Sequence, residues 1–253
     1  MIRTGEVVPL FFICKVSQRS RTVQFLLDSF HKAFLLLLHL DPQVFQIVWL
    51  SITVSFWSTI FSASVGLPVG TLLALRNFRG KSVVLLLLNT TMAAPTVVIG
   101  LFCYVLLSRI GPLGSLGLLF TPSGMVFGLF ILATPIVANL TVAAIGSLDK
   151  RLMLTCELLG ASPAQQFWLV IKEARFAVMA AVVIAFGRII SELGIAMMLG
   201  GNIRGFTRTM TTAIALETSK GEFELGLALG FVLMAVALLI NGLLFLVQKE
   251  RSL

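Results

Sequence analysis

Five long apolar stretches alternate with shorter polar segments along this chain. Asp, Glu, Lys and Arg are missing from each stretch, and the charge-free runs are 42–75, 82–108, 110–148, 176–187 and 225–248. A helix needs about 20 apolar residues to cross the hydrocarbon core of a bilayer, where every backbone polar group must be paired internally. The pattern predicts an all-α membrane protein with spanning helices at about 46–75, 83–107, 123–146, 176–199 and 225–247.

Composition supports this prediction. The chain is 58% hydrophobic and 12% charged, whereas a soluble domain carries about 25% charged residues. The net charge of +8 does not indicate nucleic-acid binding, because the basic residues lie between the apolar runs and not on one face. We therefore expect a multi-pass protein whose environment is the lipid bilayer.

The basic residues predict the orientation in the cell membrane. The connectors on one side of the predicted bundle hold nine of them, at positions 76, 79, 81, 150, 151, 172, 175, 249 and 251, and those on the other side hold four, at 109, 204, 208 and 220. Five more, at 3, 15, 19, 21 and 32, precede the first predicted span and would lie on that second side, so the orientation rests on the connectors alone. Cytoplasmic loops carry the excess of Lys and Arg. This places the N-terminus outside and the C-terminus in the cytoplasm.

The N-terminal part divides into an extension, 1–22, and a segment, 23–40, before the predicted transmembrane domain at 46–248. Segment 23–40 could form a sixth span, but Asp28, His31 and Lys32 would each be costly at the bilayer centre. An amphipathic helix on the outer membrane surface accommodates them better.

Small residues and prolines predict local features of the spans. Gly66 with Gly70, and Gly226 with Gly230, have the small-xxx-small spacing that lets helix backbones approach closely. Three prolines inside apolar runs each remove a backbone donor and favour a kink; they are Pro68, Pro95 and Pro135.

The polar segment 149–175 is longer than a simple connector. It predicts two short helices, with the first at 152–159 and ended by Gly160. Ser162 would cap the second helix and Pro163 would occupy its first turn. Physical reasoning leaves two interpretations open: a projection that docks into a soluble partner, or a surface helix pair without a partner.

The stretch ELLGASPAQQFW at 157–168 resembles the coupling loop of the permeases of ABC importers, known as the EAA loop. The resemblance implies a type I ABC permease fold and a loop that docks into a separate ATPase subunit. It assigns that coupling role to Glu157, Gly160, Ala161, Ser162 and Phe167. The chain departs from the general pattern at 154–156 and at 172–173, where it has LTC and KE.

From about residue 25 to 248 the chain is similar to the tungstate-type permeases, which are related to those for molybdate and sulfate. The stretches 106–122, 172–194 and 200–230 carry this similarity. It implies a homodimer with two ATP-binding subunits and an extracytoplasmic substrate-binding protein. It also implies import of tungstate, with molybdate, sulfate or another oxyanion as the alternatives.

Two charges, Arg188 and Glu192, lie inside the fourth predicted span. They are four residues apart, so they share a helix face and can pair. Intramembrane charges usually face the bundle interior and often mark a pathway. Either Arg188 lends positive potential to the route of an oxyanion, or the pair is a structural brace.

The external segment 200–222 is the other candidate for the pathway. It contains Asn202, Arg204, Arg208 and several threonines, and Arg can bind an oxyanion with paired donors. The same residues also suit a plain solvated loop or a docking surface for a binding protein.

Other classes of protein lack support in the sequence. The nearest match to an ATP-binding loop, Gly80-Lys81-Ser82, has Leu75 where the first glycine belongs. The three cysteines are scattered without metal-ligand spacing. We expect no catalytic residues, metal or cofactor in this chain. A secondary transporter would show internal repeats, and a membrane enzyme would need clustered reactive side chains; both remain minor alternatives.

Overall fold

The computed structural model describes residues 41–249, without the side chains of residues 150, 153, 154, 157, 243, 244 and 246–249. The predictions for 1–22 and 23–40 lie outside the described residues. The described part forms ten α-helices and one short 3-10 helix, Gly114–Leu116. The α-helices are α1 Pro42–Leu75, α2 Lys81–Ala93, α3 Thr96–Leu107, α4 Pro122–Gly146, α5 Lys150–Leu158, α6 Pro163–Glu173, α7 Arg175–Ile190, α8 Gly194–Gly200, α9 Met210–Lys220 and α10 Phe223–Lys249.

Three of these helices are long and apolar enough to cross a membrane alone, namely α1, α4 and the Phe223–Gly242 part of α10. Two further spans are broken. Helices α2 and α3 are bent by 98° at their junction, and α7 and α8 by 60°. Counting each bent pair as one span gives five, which agrees with the predicted number and positions.

The break between α2 and α3 follows from Pro95. Proline has no N–H to continue the helical ladder, and it drives the preceding residue towards an extended conformation. Ala94 has φ −64° and ψ 139°, as this rule requires. The predicted kink is therefore confirmed at Pro95. Pro68 and Pro135, in contrast, lie inside the continuous helices α1 and α4.

Helices α1 and α4 pack against each other at the centre of the bundle through small residues. The Ser58 and Ser62 hydroxyls lie 3.4 Å from Val126 O and 3.3 Å from Phe130 O. One and two turns further along α1, Gly66 and Gly70 bring the backbones still closer. A Cβ added at Gly70 would lie 2.4 Å from the backbone oxygen of Ala138, so only glycine fits without displacing a helix.

The second predicted glycine pair does not play this role. Gly226 of α10 lies at ordinary contact distance from α9, because an added Cβ would be 3.7 Å from the Thr218 hydroxyl. Gly230 has open space around it within the described residues. The prediction of a close helix contact at Gly230 is wrong, since the same spacing arises by chance in a glycine-containing membrane helix.

The bundle has two ends. At one, called the loop end, the last turns of α1 and α4 pack with α6 and the start of α7 through Ile145, Val170, Ala174 and Val178. At the other, called the far end, the backbone N–H of Phe120 donates to Leu199 O at 2.8 Å. The segment 108–121 between α3 and α4 lies at the far end and contains a single 3-10 turn.

Candidate functional site

Candidate coupling loop

The segment 149–175 forms the two predicted short helices, α5 and α6, at the loop end. Gly160 lies in the turn between α5 and α6. Its φ of +67° is a left-handed conformation that favours glycine. Ser162 caps α6 by a capping box, in which its hydroxyl accepts from Gln165 N and the Gln165 side chain accepts from Ser162 N at 2.7 Å. Pro163 occupies the first helical position, so the sequence determines this local geometry.

The helical pair is anchored on one side and exposed on the other. Val170 is fully buried against the ends of α1, α4 and α7. Leu158 and Leu159 are 87% and 80% exposed, and Trp168 is 69% exposed. Exposed large apolar side chains of this kind are typical of a surface that a partner protein or lipid covers.

The other predicted coupling residues lie in the same projection. Phe167 packs edge-to-face with Trp168, with ring centroids 5.8 Å apart. The backbone N–H of Ala161 donates to Cys156 O at 2.9 Å, which fixes the turn around Gly160. Glu157 belongs to α5, but its side chain lies outside the described part.

Charged pair at the break of the fourth span

Arg188 and Glu192 form the predicted ion pair, with 2.5 Å between Nη1 and Oε2. The prediction that both lie within one helix is wrong, because α7 ends at Ile190 and Glu192 lies in the break before α8. The second carboxylate oxygen of Glu192, Oε1, accepts a hydrogen bond from the backbone N–H of Gly194 at 2.9 Å. Glu192 thereby joins the end of α7 to the start of α8, which satisfies part of the backbone that the break exposes.

The two members of the pair differ in exposure. The Glu192 side chain is 3% exposed, whereas that of Arg188 is 40% exposed. A buried carboxylate costs several kcal/mol unless it is paired, so Glu192 needs Arg188. The guanidinium carries further donors on its open side and can approach a group outside this subunit.

The breaks of the two bent spans lie side by side. A Cβ added at Gly194 would lie 3.1 Å from the Thr96 hydroxyl and 3.3 Å from Glu192 Oε1. A Cβ at Gly100 would lie 3.4 Å from the Cα atom of Ile195. The charged pair therefore lies where two interrupted helices meet. At such breaks backbone N–H and C=O groups are not paired within a helix, which is rare in a membrane span.

Residues of the far-end segment

The interpretation of 200–222 as a solvated loop is wrong for its second half, which forms the helix α9. Thr209 caps α9 in a capping box with Thr212, and both threonines are buried. The first turn of α9 reaches the charged pair, because the Thr211 hydroxyl donates to Glu192 O at 2.9 Å. The backbone N–H of Met210 donates to the Ser51 hydroxyl at 2.8 Å, so the turn also contacts α1.

The three predicted pathway residues of this segment lie around the first turn of α9. Asn202 has φ +52°, and its Nδ2 donates to Thr212 O at 3.3 Å. Arg204 donates from Nη2 to the Gln43 side chain at 2.6 Å. Arg204 and Arg208 both line a cavity of about 410 Å³ at the start of α1. Two arginines thus line a pocket at the far end, and the Arg208 side chain is largely buried there.

Sequence reasoning missed Glu217. This residue of α9 is buried, and it pairs with Arg208 at 3.6 Å and with Lys220 at 3.2 Å. Among the described residues, the Nε atom of Arg208 is buried without a hydrogen-bond partner. The position of Glu217, nine residues after Arg208, gives no helix-face signal, because the helix begins only after the arginine.

The predicted pathway residues therefore form two groups. Arg188 and Glu192 lie at the helix breaks, and Asn202, Arg204 and Arg208 lie towards the far end. The first turn of α9 separates the groups and contacts both, through Thr211 and Thr212.

Comparisons with known proteins

The charged side chains lie at the helix breaks and around the first turn of α9, within an apolar helical bundle. Charged side chains inside such a bundle often mark a transport route through the membrane. The fold and the site together define a membrane permease, with a helical projection at one end.

The chain belongs to the family of binding-protein-dependent transport system inner membrane components, whose family profile matches residues 66–252. It is therefore a multi-pass inner-membrane protein and a transport component rather than an enzyme. The expectation of an ABC importer permease is confirmed.

Two relatives come from tungstate uptake systems. The permease protein TupB of Peptoclostridium acidaminophilum is 36% identical over 228 residues, which are 90% of this chain and 100% of that protein. TupB of Campylobacter jejuni is 40% identical over 219 residues, 87% of this chain and 92% of that protein. The molybdenum permease ModB of Escherichia coli is more distant, at 27% identity over 84% of this chain.

Solved structures share the fold. A chain of the MetNI methionine ABC transporter in an inward-facing conformation aligns with a TM-score of 0.69 at 18% identity, covering 83% of this chain and 98% of that one. A chain of a bacterial alginate ABC transporter, solved with its alginate-bound periplasmic protein, aligns with a TM-score of 0.67 at 17% identity over 96% of each. The type I ABC permease fold is confirmed.

Proposed function

We propose that this permease carries tungstate into the cell as part of an ATP-driven importer. The observation that carries the proposal is the similarity to two tungstate permeases along 90% and 87% of the chain. Arginines at two depths of the bundle support it, because a guanidinium suits a tetrahedral oxyanion with paired donors. Molybdate and sulfate have the same shape and charge, so the test below includes both.

In this proposal the ion passes the two groups of polar residues in turn. Arg204, Arg208 and Asn202 attract it at the far end, which is the outer side in the orientation that the basic residues predict. Arg188 then receives it at the helix breaks. Glu192 neutralises part of that charge, so that the ion is not held too firmly to leave.

The pathway requires a second subunit. Arg188 lies open on one side of a single chain, and an open guanidinium facing lipid would be costly. A second copy of this chain, related by a two-fold axis, would enclose that side and contribute its own Arg188. The homodimer is thus part of the proposal.

The helical projection around Gly160 would dock two ATP-binding subunits, one for each copy. The exposed surface of Leu158, Leu159 and Trp168 supports this role, with Glu157, Ala161, Ser162 and Phe167 in the same projection. ATP binding would then bias a bundle with two conformations. An extracytoplasmic binding protein would deliver the substrate, and the chain would act without a cofactor of its own.

The test is uptake by the complete complex, purified with its ATPase and binding protein and placed in lipid vesicles. We expect ATP-dependent uptake of labelled tungstate, competed best by unlabelled tungstate and less by molybdate and sulfate. Stronger competition by molybdate or sulfate would reassign the substrate. Failure of the chain to purify with an ATPase would contradict the coupling role.

A further inference from the structure

We propose that Asn89 and Asn139 form a second polar station on the substrate path, which offers uncharged N–H donors to the oxyanion between Arg188 and the loop end. This inference rests on the proposed transport of an oxyanion. The two residues lie on α2 and α4, and the Asn139 Nδ2 donates to Asn89 Oδ1 at 2.6 Å.

The depth of the pair follows from α4. Asn139 lies seven residues before the end of this helix at Gly146, which is about 10 Å at 1.5 Å per residue. Ile136 and Val137, one turn further from the loop end, pack against Ala185. Since Arg188 comes three residues after Ala185 and α7 runs away from the loop end, the pair lies closer to the loop end than Arg188.

The pair faces away from the rest of the subunit. Every residue of α2 is exposed or half-buried, and Asn89 is exposed although it lies inside a span. Within residues 41–249, the Nδ2 group of Asn89 has no acceptor. In such a bond the accepting asparagine uses only its amide oxygen. Its whole NH₂ group is therefore not used by the pair, whichever of the two residues accepts.

A free amide is unsuited to lipid. Transfer of an amide without a hydrogen-bond partner into an apolar medium is strongly unfavourable. The neighbouring hydroxyl of Thr90 avoids this cost by donating to Leu86 O at 2.8 Å in its own helix. Asn89 does not make such a bond within its own helix, although the exposed Asn241 does, and from this we infer that its side of α2 faces a polar path and not acyl chains.

The chemistry of the free groups selects the ligand. An oxyanion only accepts hydrogen bonds, and an amide NH₂ only donates them. A neutral amide binds an anion more weakly than a guanidinium does. Passage from Arg188 to the asparagines therefore moves the ion from a strong site to a weak one near its exit, as release requires.

The experiment measures ATP-dependent tungstate uptake by the complete complex in vesicles, with four variants of this chain. Asn89→Asp adds a negative charge, Asn89→Leu removes the donors, and Asn89→Gln keeps them. The matched control is Asn241→Leu, because Asn241 is an exposed amide of α10 whose Nδ2 already donates to Ala237 O at 2.9 Å.

We expect uptake to fall at least tenfold in Asn89→Asp and at least fivefold in Asn89→Leu, with Asn89→Gln and Asn241→Leu within threefold of the wild type. The yield of complex and its subunit stoichiometry should stay unchanged. Uptake in Asn89→Asp and Asn89→Leu within twofold of the wild type would overturn the inference. So would equal losses in Asn89→Gln and Asn89→Leu.

Two other results have distinct meanings. Loss of the dimer in Asn89→Leu, seen as a smaller complex on size exclusion, would overturn the inference and make the pair a contact between copies. Absence of oxyanion uptake by the wild-type complex would overturn the proposed function itself, independently of the asparagine variants.

Discussion

The close approach of α1 and α4 predicts a large difference between two glycine-to-alanine substitutions. In Gly70→Ala the new Cβ would lie 2.4 Å from the backbone oxygen of Ala138, whereas ordinary contact begins near 3.4 Å. The two helices must therefore separate by about 1 Å where they pack most tightly. In Gly230→Ala the new methyl group has none of the described residues within 4 Å, so this variant is the control.

The magnitude follows from two contributions. Alanine stabilises a helix interior by about 1 kcal/mol relative to glycine, and this gain is common to both variants. Overpacking at Gly70 costs about 1–3 kcal/mol. At about 2–4 °C per kcal/mol for a chain of this size, the Tm of Gly70→Ala should be about 2–12 °C below that of Gly230→Ala.

The assay is thermal unfolding of the purified chain in detergent, followed by the loss of the monodisperse peak on size exclusion after heating. Both variants are measured in the same detergent and with the same heating steps. Equal Tm values for Gly70→Ala and Gly230→Ala would refute the packing of α1 on α4 described above.

Three further predictions concern the site. Arg188→Gln should lower tungstate uptake at least tenfold without loss of the complex, since it removes the charge at the helix breaks; unchanged uptake would rule out a pathway role. Gly160→Val should lower Tm and ATP-dependent uptake together, because a β-branched residue is strained at φ +67°. Gly160→Asn should retain most of both, because asparagine tolerates this conformation. Equal effects of the two substitutions would argue against a conformational cause. Glu217→Gln should destabilise the chain by about 3 kcal/mol, because it leaves Arg208 buried without a counter-charge, and an unchanged Tm would show that this ion pair is dispensable.

The sequence is sufficient to predict the membrane spans and the local geometry of the coupling loop. The spans are determined by composition over about 20 residues, and the turn around Gly160 by residues that are neighbours in the chain. Ser162 and Pro163 specify the start of α6 on their own, which is why that boundary agrees with the structure.

Contacts between distant segments are harder to predict. The pairing of Arg188 with Glu192 was visible as a spacing of four, but the helix break that separates them was not, since no proline or glycine precedes Glu192 within the break. Helix α9 was missed because its polar first turn has the composition of a loop. The contacts that hold this turn are long-range: the Met210 N–H donates to the Ser51 hydroxyl of α1, and the Thr211 hydroxyl donates to Glu192 O between α7 and α8. Asn89 and Asn139 are fifty residues apart, and only the packing of α2 on α4 brings them together.

Two glycine pairs with the same spacing had opposite outcomes, and the neighbours explain the difference. Gly66 and Gly70 face another long helix whose backbone comes within contact distance, as the serines one and two turns earlier also show. Gly230 faces no neighbour within 4 Å in the part of the chain that the structure describes. Spacing alone does not say what a helix face will meet.

The central claim is that this chain imports an oxyanion by coupling to ATP. The most direct test is the initial rate of tungstate uptake by the reconstituted complex, with ATP or a non-hydrolysable analogue supplied to the ATPase side and no ion gradient across the membrane. The account predicts uptake with ATP and none with the analogue. Uptake that proceeds without ATP and follows an imposed ion gradient would contradict it.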